Sequence, residues 1–161
     1  ISTHDQILGG PSGQVFQACT FPADAAYAQQ IQSLALSVGE VLKTRGVLGR
    51  FGVDFVSVPV EDGWLHYAIE IHLRKGGTTH TFQMLQFLTQ GRYDAARAEF
   101  VTPDGATRCY YATDNVVNAA YRRLTPEDLI EVVSSAAVLA YEGDQQVAVL
   151  ISQRLLGKKK W

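Results

Sequence analysis

Several features that mark other classes of protein are scarce in this sequence. Only two cysteines, Cys19 and Cys109, occur in 161 residues, and their spacing matches no metal-binding or redox motif. The lack of a disulfide framework favours a reducing environment. No apolar run approaches the roughly 20 residues that a membrane span needs, and no stretch has the pattern of a signal peptide. The sequence therefore predicts a cytoplasmic protein without a membrane partner.

Charge is also scarce, and neither sign dominates. Charged residues make up 19% of the chain, the net charge is −2, and hydrophobic residues reach 47%. The one basic run, 158–160, has the pattern of a solvated tail. A composition of this kind is typical of a globular domain with a core, and it gives no electrostatic basis for a nucleic-acid partner.

Hydrophobic periodicity predicts an α+β fold, with helices packed on one face of an antiparallel sheet. Strands are predicted over 14–21, 50–58 and 64–73, with a weaker hairpin over 98–112 and a final short strand over 147–151. Helices are predicted around 31–45, over 80–88 and from Thr125, where a capping pattern begins. The apolar stripe of the first helix comprises Ile31, Leu34, Ala35, Val38, Val41 and Leu42. A change of composition over 90–96 predicts a boundary near residue 92.

The predicted hairpin of the two central strands carries the residues with chemical potential. Its expected connection is the five-residue loop 59–63, which places Asp54 opposite or diagonal to Glu70. Such neighbours lie roughly 4.5 to 8 Å apart, close enough to share a divalent cation. Unbroken alternation in the second strand would put His66, Glu70, His72 and Arg74 on one face. Carboxylate pairs of this kind are typical Mg²⁺ ligands.

The same pattern has a structural explanation. A half-exposed antiparallel strand normally carries polar residues on its wet face, and spacing alone slightly favours this interpretation over a binding site. The continuation Arg74-Lys75-Gly76-Gly77-Thr78 makes the stretch more informative. Arginine can bind a phosphate or carboxylate through two hydrogen bonds, and a glycine-rich loop lets backbone N–H groups approach an anion. The hairpin is therefore the first candidate site.

Two segments resemble a known family. Gly52–Val56 and Tyr67–His80 are similar to the carboxy-terminal part of an ATP-grasp domain, and more narrowly to peptide ligases of the pheganomycin type. Ser2–Gln6, followed by two glycines, resembles that family's strand before the long helix. The resemblance covers about the first 90 residues. It implies that 1–92 is the carboxy-terminal half of an ATP-grasp domain and that 93–161 is a C-terminal extension.

The resemblance implies an ATP-dependent carboxylate–amine ligase that acts through an acyl-phosphate. ATP and Mg²⁺ would be its cofactors, and amino acids or peptides would supply the carboxylate and the amine. The implied metal-site residues are Asp54, Glu70 and His72; Glu70, Arg74 and Lys75 bind the nucleotide; Arg74 is catalytic; Gly76, Gly77 and Thr78 form a substrate loop. Metal ions and arginine would neutralise the charge of the transferring phosphoryl group.

Three departures from the family pattern define the alternative. The family has Asn where this chain has His72, and imidazole suits Mn²⁺ or Zn²⁺ better than Mg²⁺. Thr81 stands where the motif has proline. The half that supplies the phosphate-binding lysines would have to precede Ile1. The alternative function is therefore a degenerate, non-catalytic ATP-grasp remnant that serves as a nucleotide-binding or interaction module. The four histidines also admit a zinc site, which their spacing disfavours.

Overall fold

The structure is a computed structural model that describes residues 1–113, 115, 119, 123–128, 130 and 131. Its elements are β1 (Asp5–Gly9), β2 (Val15–Phe21), α1 (Ala28–Thr44), β3 (Gly52–Val60), β4 (Gly63–His72), α2 (Gly77–Thr89), β5 (Arg92–Asp94), β6 (Glu99–Val101), β7 (Thr107–Arg108) and β8 (Tyr110–Thr113). The strands form three antiparallel sheets, in the orders β1-β2-β8, β3-β4 and β5-β6-β7. The predicted α+β class is confirmed. The antiparallel strand pairing is divided among these three small sheets.

An aromatic cluster forms the larger core. Phe21 of β2 meets Phe82 of α2 and Phe100 of β6 edge-on, with ring centroids 5.3 and 6.0 Å apart. Tyr110 of β8 stacks on Phe21 at 4.9 Å. Such pairs stabilise by about 0.5–1.5 kcal/mol beyond their buried area. This cluster therefore joins elements that lie far apart in the sequence.

A smaller core holds the start of α1. Ala28 and Ile31 pack with Ala23 and Ala98, and Phe55 of β3 lies against them. The predicted buried stripe of α1 is only partly correct, because Leu34 and Val41 are exposed. The helix ends as its sequence predicts: the N–H of Gly46, at φ +74°, donates to Lys43 O.

The second helix begins earlier than the sequence predicts. α2 starts at Gly77 rather than at residue 80, because Gly76 takes the extended N-cap conformation and its N–H donates to the Thr79 hydroxyl at 3.1 Å. The predicted loop residues 77–79 therefore form the first helical turn. Gln90, in the left-handed conformation, ends the helix.

Residues on both sides of the predicted boundary near 92 share the same cores. Tyr93 packs 5.8 Å from Phe21, and its hydroxyl is hydrogen-bonded to that of Thr3 at 2.9 Å. The functional division at residue 92 stays a prediction.

The predicted helix start at Thr125 is confirmed. The Thr125 hydroxyl accepts from the Asp128 N–H, and the Asp128 carboxylate accepts from the Thr125 N–H. The predicted strand 147–151 lies outside the described residues. Among the described helices, none has the length and apolar character to cross a membrane.

Candidate functional site

The hairpin of β3 and β4 is tighter than the sequence predicts. Val60 pairs with Gly63, so the connection is the two-residue turn Glu61-Asp62 and not a five-residue loop. Gly63 has φ +135°, a conformation that L side chains rarely adopt. Pro59 pairs within the strand, which a two-stranded sheet allows because each strand has one unpaired edge. The tight turn extends the ladder to the end of both strands.

One extra residue interrupts this ladder. Phe55 pairs with Ala68, but the residue that precedes it in β3, Asp54, pairs with Glu70 and not with Ile69. Ile69 is therefore an additional residue in β4, a β-bulge. Along β3, successive side chains alternate between the two faces of the hairpin without interruption. In β4, the residues on either side of Ile69 follow opposite alternation, so odd-numbered residues before it and even-numbered residues after it share one face. The prediction that β4 alternates cleanly is wrong for this reason.

The hairpin has two faces with different neighbours. The inner face carries Phe55, which packs in the smaller core, and His66, whose ring nitrogens contact Ser57 Oγ at 2.8 Å and Gln30 Oε1 of α1 at 3.1 Å. The outer face carries Asp54 and five exposed apolar residues of the two strands. These are Val56, Val58, Val60, Leu65 and Tyr67.

Asp54, Glu70 and His72 come together on the outer face. Asp54 lies directly opposite Glu70, and His72 lies opposite Gly52, two positions further along the same face. His66 was predicted to share a face with Glu70 and His72, and the bulge places it on the inner face instead. The expected proximity of Asp54 and Glu70 is present in the structure.

His72 lies between the two carboxylates. Its Nε2 is 3.1 Å from Asp54 Oδ2, and its Nδ1 is 3.4 Å from Glu70 Oε1. The contact with Asp54 is a hydrogen bond, whereas the contact with Glu70 has only the distance of an ion pair. Asp54 and His72 are partly buried and Glu70 is exposed. The ring holds the two acids on one surface patch.

The donor atoms fit a small cation. One ligand atom from each of the three residues lies within 4.8 Å of the other two. Opposite ligands of a cation bound at about 2.1 Å are roughly 4.2 Å apart, so small side-chain rotations would close the set. Two carboxylate oxygens and one imidazole nitrogen suit Mn²⁺ more than Mg²⁺. Among the described residues, this is the one group of acidic, histidine or cysteine side chains that converges in this way.

The remaining predicted site residues follow β4 directly. Arg74 and Lys75 are exposed in the turn after the strand, and the Arg74 side chain donates to Lys75 O at 3.4 Å. Gly76, Gly77 and Thr78 form the cap and first turn of α2. A helix N-terminus presents free N–H groups and a partial positive charge. These five residues therefore adjoin the acidic cluster in sequence, with two cations in the connecting turn.

The other histidines are not part of this cluster. His4 lies in the aromatic core, with Nε2 2.7 Å from the Tyr110 hydroxyl, and burial lowers its pKa to about 4. His80 is exposed on α2. The four histidines therefore do not converge on one ion.

Sequence reasoning missed Ile69. An isoleucine at this position fits the alternating pattern of the strand, so no local residue preference marks a bulge there. The signal was indirect: with a two-residue turn, unbroken pairing would put Asp54 opposite Ile69. The sequence predicted a five-residue loop, and without the correct turn length this mismatch was not visible.

Comparison with known proteins relates the chain to a ligase. The relative is an L-propargylglycine–L-glutamate ligase from Streptantibioticus cattleyicolor, 42% identical over 95 residues. The match covers 59% of this chain and 18% of the relative, so the chain spans less than a fifth of that protein's length. No family model and no solved structure matches the chain.

Proposed function

We propose that this chain is the metal-binding, carboxy-terminal part of an ATP-grasp carboxylate–amine ligase that joins amino acids or peptides. The observation that carries the proposal is the convergence of Asp54, Glu70 and His72 on the outer face of the hairpin. Similarity to a ligase whose name describes two amino acids gives independent support. Consumption of ATP implies a cytoplasmic setting, which we include in the proposal.

Each residue of the proposed site has a distinct part. Asp54 and Glu70 would hold the divalent cation that accompanies ATP, with His72 as the third ligand. ATP would supply the phosphoryl group that activates the substrate carboxylate as an acyl-phosphate, with ADP as the leaving group, and an amine would then displace inorganic phosphate to form the amide. Arg74 and Lys75, in the turn after β4, would bind the phosphoryl oxygens, since guanidinium and ammonium groups pair strongly with them. The α2 N-terminus at Gly76–Thr78 would receive the anionic substrate.

The first experiment is calorimetric titration of Mn²⁺, Mg²⁺ and Mg·ATP into the 161-residue chain. Asp54→Ala and Glu70→Ala should each weaken binding by at least about 10- to 100-fold, the loss typical of removing a group that only orients a ligand, because each removes a ligand itself. The matched control is Asp62→Ala, which removes a carboxylate from the turn at the far end of the hairpin. Absence of metal or nucleotide binding by the wild-type chain, or an equal effect of the control, would contradict the proposal.

His72 gives the site a metal preference that can be measured separately. The wild-type chain should bind Mn²⁺ more tightly than Mg²⁺, because imidazole is a borderline ligand. His72→Asn replaces this nitrogen with a hard carbonyl oxygen and should reduce the difference between the Mn²⁺ and Mg²⁺ affinities. An unchanged ratio of the two affinities would remove His72 from the ligand set.

One observation favours a second candidate function, the non-catalytic interaction module. The outer face beside the acidic cluster exposes five apolar side chains, with Tyr67 at 55% of its accessible area and Leu65 at 50%. Such a surface is typical of a contact with another polypeptide or ligand. Metal binding without nucleotide binding would favour this second function over the ligase.

A further inference from the structure

A second group of polar side chains lies on the inner face of the hairpin, opposite the face of the acidic cluster. Ser57 of β3 and His66 of β4 are paired directly across the two strands, and Ser57 Oγ lies 2.8 Å from His66 Nδ1. The other ring nitrogen, His66 Nε2, lies 3.1 Å from Gln30 Oε1 of α1. A hydroxyl, an imidazole and an amide therefore form one continuous line of contacts. Activated serine nucleophiles are built in this way, with a base that a third group orients.

The Gln30 amide fixes the direction of these hydrogen bonds. Its Nε2 donates to Ala26 O at 3.3 Å, so its Oε1 is the atom that faces the imidazole. An amide oxygen can only accept, which places the proton of the neutral imidazole on His66 Nε2. His66 Nδ1 then has a free electron pair, and the Ser57 hydroxyl donates to it. The hydroxyl proton of Ser57 is therefore directed at a basic nitrogen.

The surroundings of this pair admit a small ligand and offer it aromatic rings. Ser57 and His66 are half-buried, and Gln30 is exposed on α1. The ring centroid of Tyr27 lies 6.1 Å from that of His66 and 4.8 Å from that of Trp64. Trp64 is two positions before His66 in β4, so both side chains are on the inner face. A ligand that reaches Ser57 can therefore pack an aromatic group against these rings.

We propose that Ser57 and His66 form an acyl-transfer site for esters that carry an aromatic group. His66 Nδ1 takes the proton of Ser57 Oγ as this oxygen bonds to the acyl carbon. The bond from that carbon to the alcohol oxygen breaks, and the leaving alcohol takes the proton from His66. Water then attacks the acylated serine and gives one proton to His66, and Ser57 Oγ takes that proton back as the acid is released.

Gln30 is a positioning residue in this site, because its Oε1 holds the imidazole in the tautomer that leaves Nδ1 free. The site shares no residue with the acidic cluster on the outer face. It is therefore independent of the proposed ligase function, and each can fail without the other.

The first test uses the wild-type chain and a fluorophosphonate that carries a phenyl group. Its phosphorus bonds to a serine Oγ as fluoride leaves and the base takes the serine proton, and peptide mass spectrometry locates the label. Ser57 should be labelled faster than Ser37 by about 10²–10⁴-fold, the usual contribution of a general base. Ser37 is the internal control, since its exposed hydroxyl donates to Ser33 O and has no base. Equal labelling of the two serines would overturn the proposal.

The second test removes the base and its orienting group in turn. His66→Gln should lower the labelling of Ser57 to the rate of Ser37, and undiminished labelling in a variant that keeps its circular dichroism would refute the role of His66. Gln30→Glu keeps an acceptor oxygen and should be labelled at least as fast as wild type. Gln30→Leu has no acceptor and should be labelled severalfold more slowly. Equal rates in these two variants would overturn the positioning role of Gln30.

The third test uses an aromatic ester directly. Para-nitrophenyl benzoate should give a stoichiometric burst of nitrophenol as the benzoyl group is transferred to Ser57. Ser57→Ala should abolish the burst, whereas Ser37→Ala should keep it. Trp64→Leu should slow the burst with the benzoate more than with the acetate, because it removes one of the aromatic rings. A burst that persists in Ser57→Ala would come from another nucleophile, such as the exposed Cys109, and would overturn the proposal.

Discussion

Single residues at the site combine two kinds of ligand chemistry. Asp54 and Glu70 offer hard carboxylate oxygens, while His72 offers two ring nitrogens, of which Nε2 contacts Asp54 and Nδ1 contacts Glu70. In the proposed site, a cation would bind between these same three side chains. Strand pairing alone predicted that Asp54 and Glu70 lie close together, because spacing is a local property, whereas the metal-binding roles of all three residues, which the resemblance implies, stay a prediction.

His4 is a buried titratable residue away from the site. Its ring lies 5.0 Å from that of Phe21 and contacts the Tyr110 hydroxyl, which is also 3.1 Å from Thr81 Oγ1. Desolvation disfavours the imidazolium and lowers the pKa of His4 to about 4. The folded chain therefore holds this ring neutral where an unfolded chain would already be protonated.

This depressed pKa makes the fold sensitive to mild acid. Above the unfolded pKa of about 6.5 the ring is neutral in both states, and below it the unfolded state binds the proton first. The free energy of unfolding should therefore fall by roughly 2 kcal/mol between about pH 7.5 and pH 5 through this group alone. Urea titrations at both pH values measure the change. In His4→Gln the pH dependence should shrink by that amount, and an equal dependence in both proteins would refute the assignment.

At the scale of elements, sequence patterns located most helices and strands but did not predict which residues of each element face the core. The β3–β4 hairpin was predicted from two β-rich runs, yet its turn length and bulge were not. No local residue preference marks either of them, and the face that Phe55 and His66 turn towards α1 is a tertiary property. The start of α2 at Gly77 was missed because glycine and threonine are weak helix formers, and the Thr79 hydroxyl compensates by accepting the Gly76 N–H.

The junction of α2 and β5 depends on one glycine. A Cβ at Gly91 would lie 2.3 Å from Phe100 Cε1 and 2.9 Å from Val101 O. Phe100 is fully buried, so the ring cannot move aside freely. Gly91→Ala should lower the free energy of unfolding by about 1–3 kcal/mol through overpacking, as measured by thermal or urea denaturation. Gly77→Ala, where a Cβ would meet nothing within 4 Å, is the control and should be neutral or stabilising. Equal stability of the two variants would count against this packing.

At the scale of the whole molecule, apolar surface remains exposed. Besides the outer face of the hairpin, Leu34 and Val41 of α1 and Phe87 of α2 are exposed. Composition predicted a globular chain with a core, and the two clusters around Phe21 and Ala28 are that core. Which apolar residues stay outside could not be predicted, because periodicity assigns a face to an element but not a neighbour to that face.

The exposed outer face should bind a hydrophobic dye. The double variant Val58→Lys with Tyr67→Lys places two charges among its apolar side chains, and the fluorescence of bound anilinonaphthalene sulfonate should fall severalfold. The melting temperature should change little, because both side chains are already exposed. Ser37→Lys, on the exposed surface of α1, controls for added charge. Undiminished fluorescence in the double variant would show that dye binds elsewhere.

The order of strands in the first sheet sets the order in which the chain can fold. β3 and β4 are neighbours in sequence, so their hairpin can close within roughly 1–10 μs. β2 occupies the centre of its sheet, and its second partner, β8, follows about 90 residues later. Closing so long a loop is entropically costly and slows the non-local step. During synthesis, Phe21 would therefore stack on Tyr110 only after β8 has been made, and until then one edge of β2 would have no strand partner.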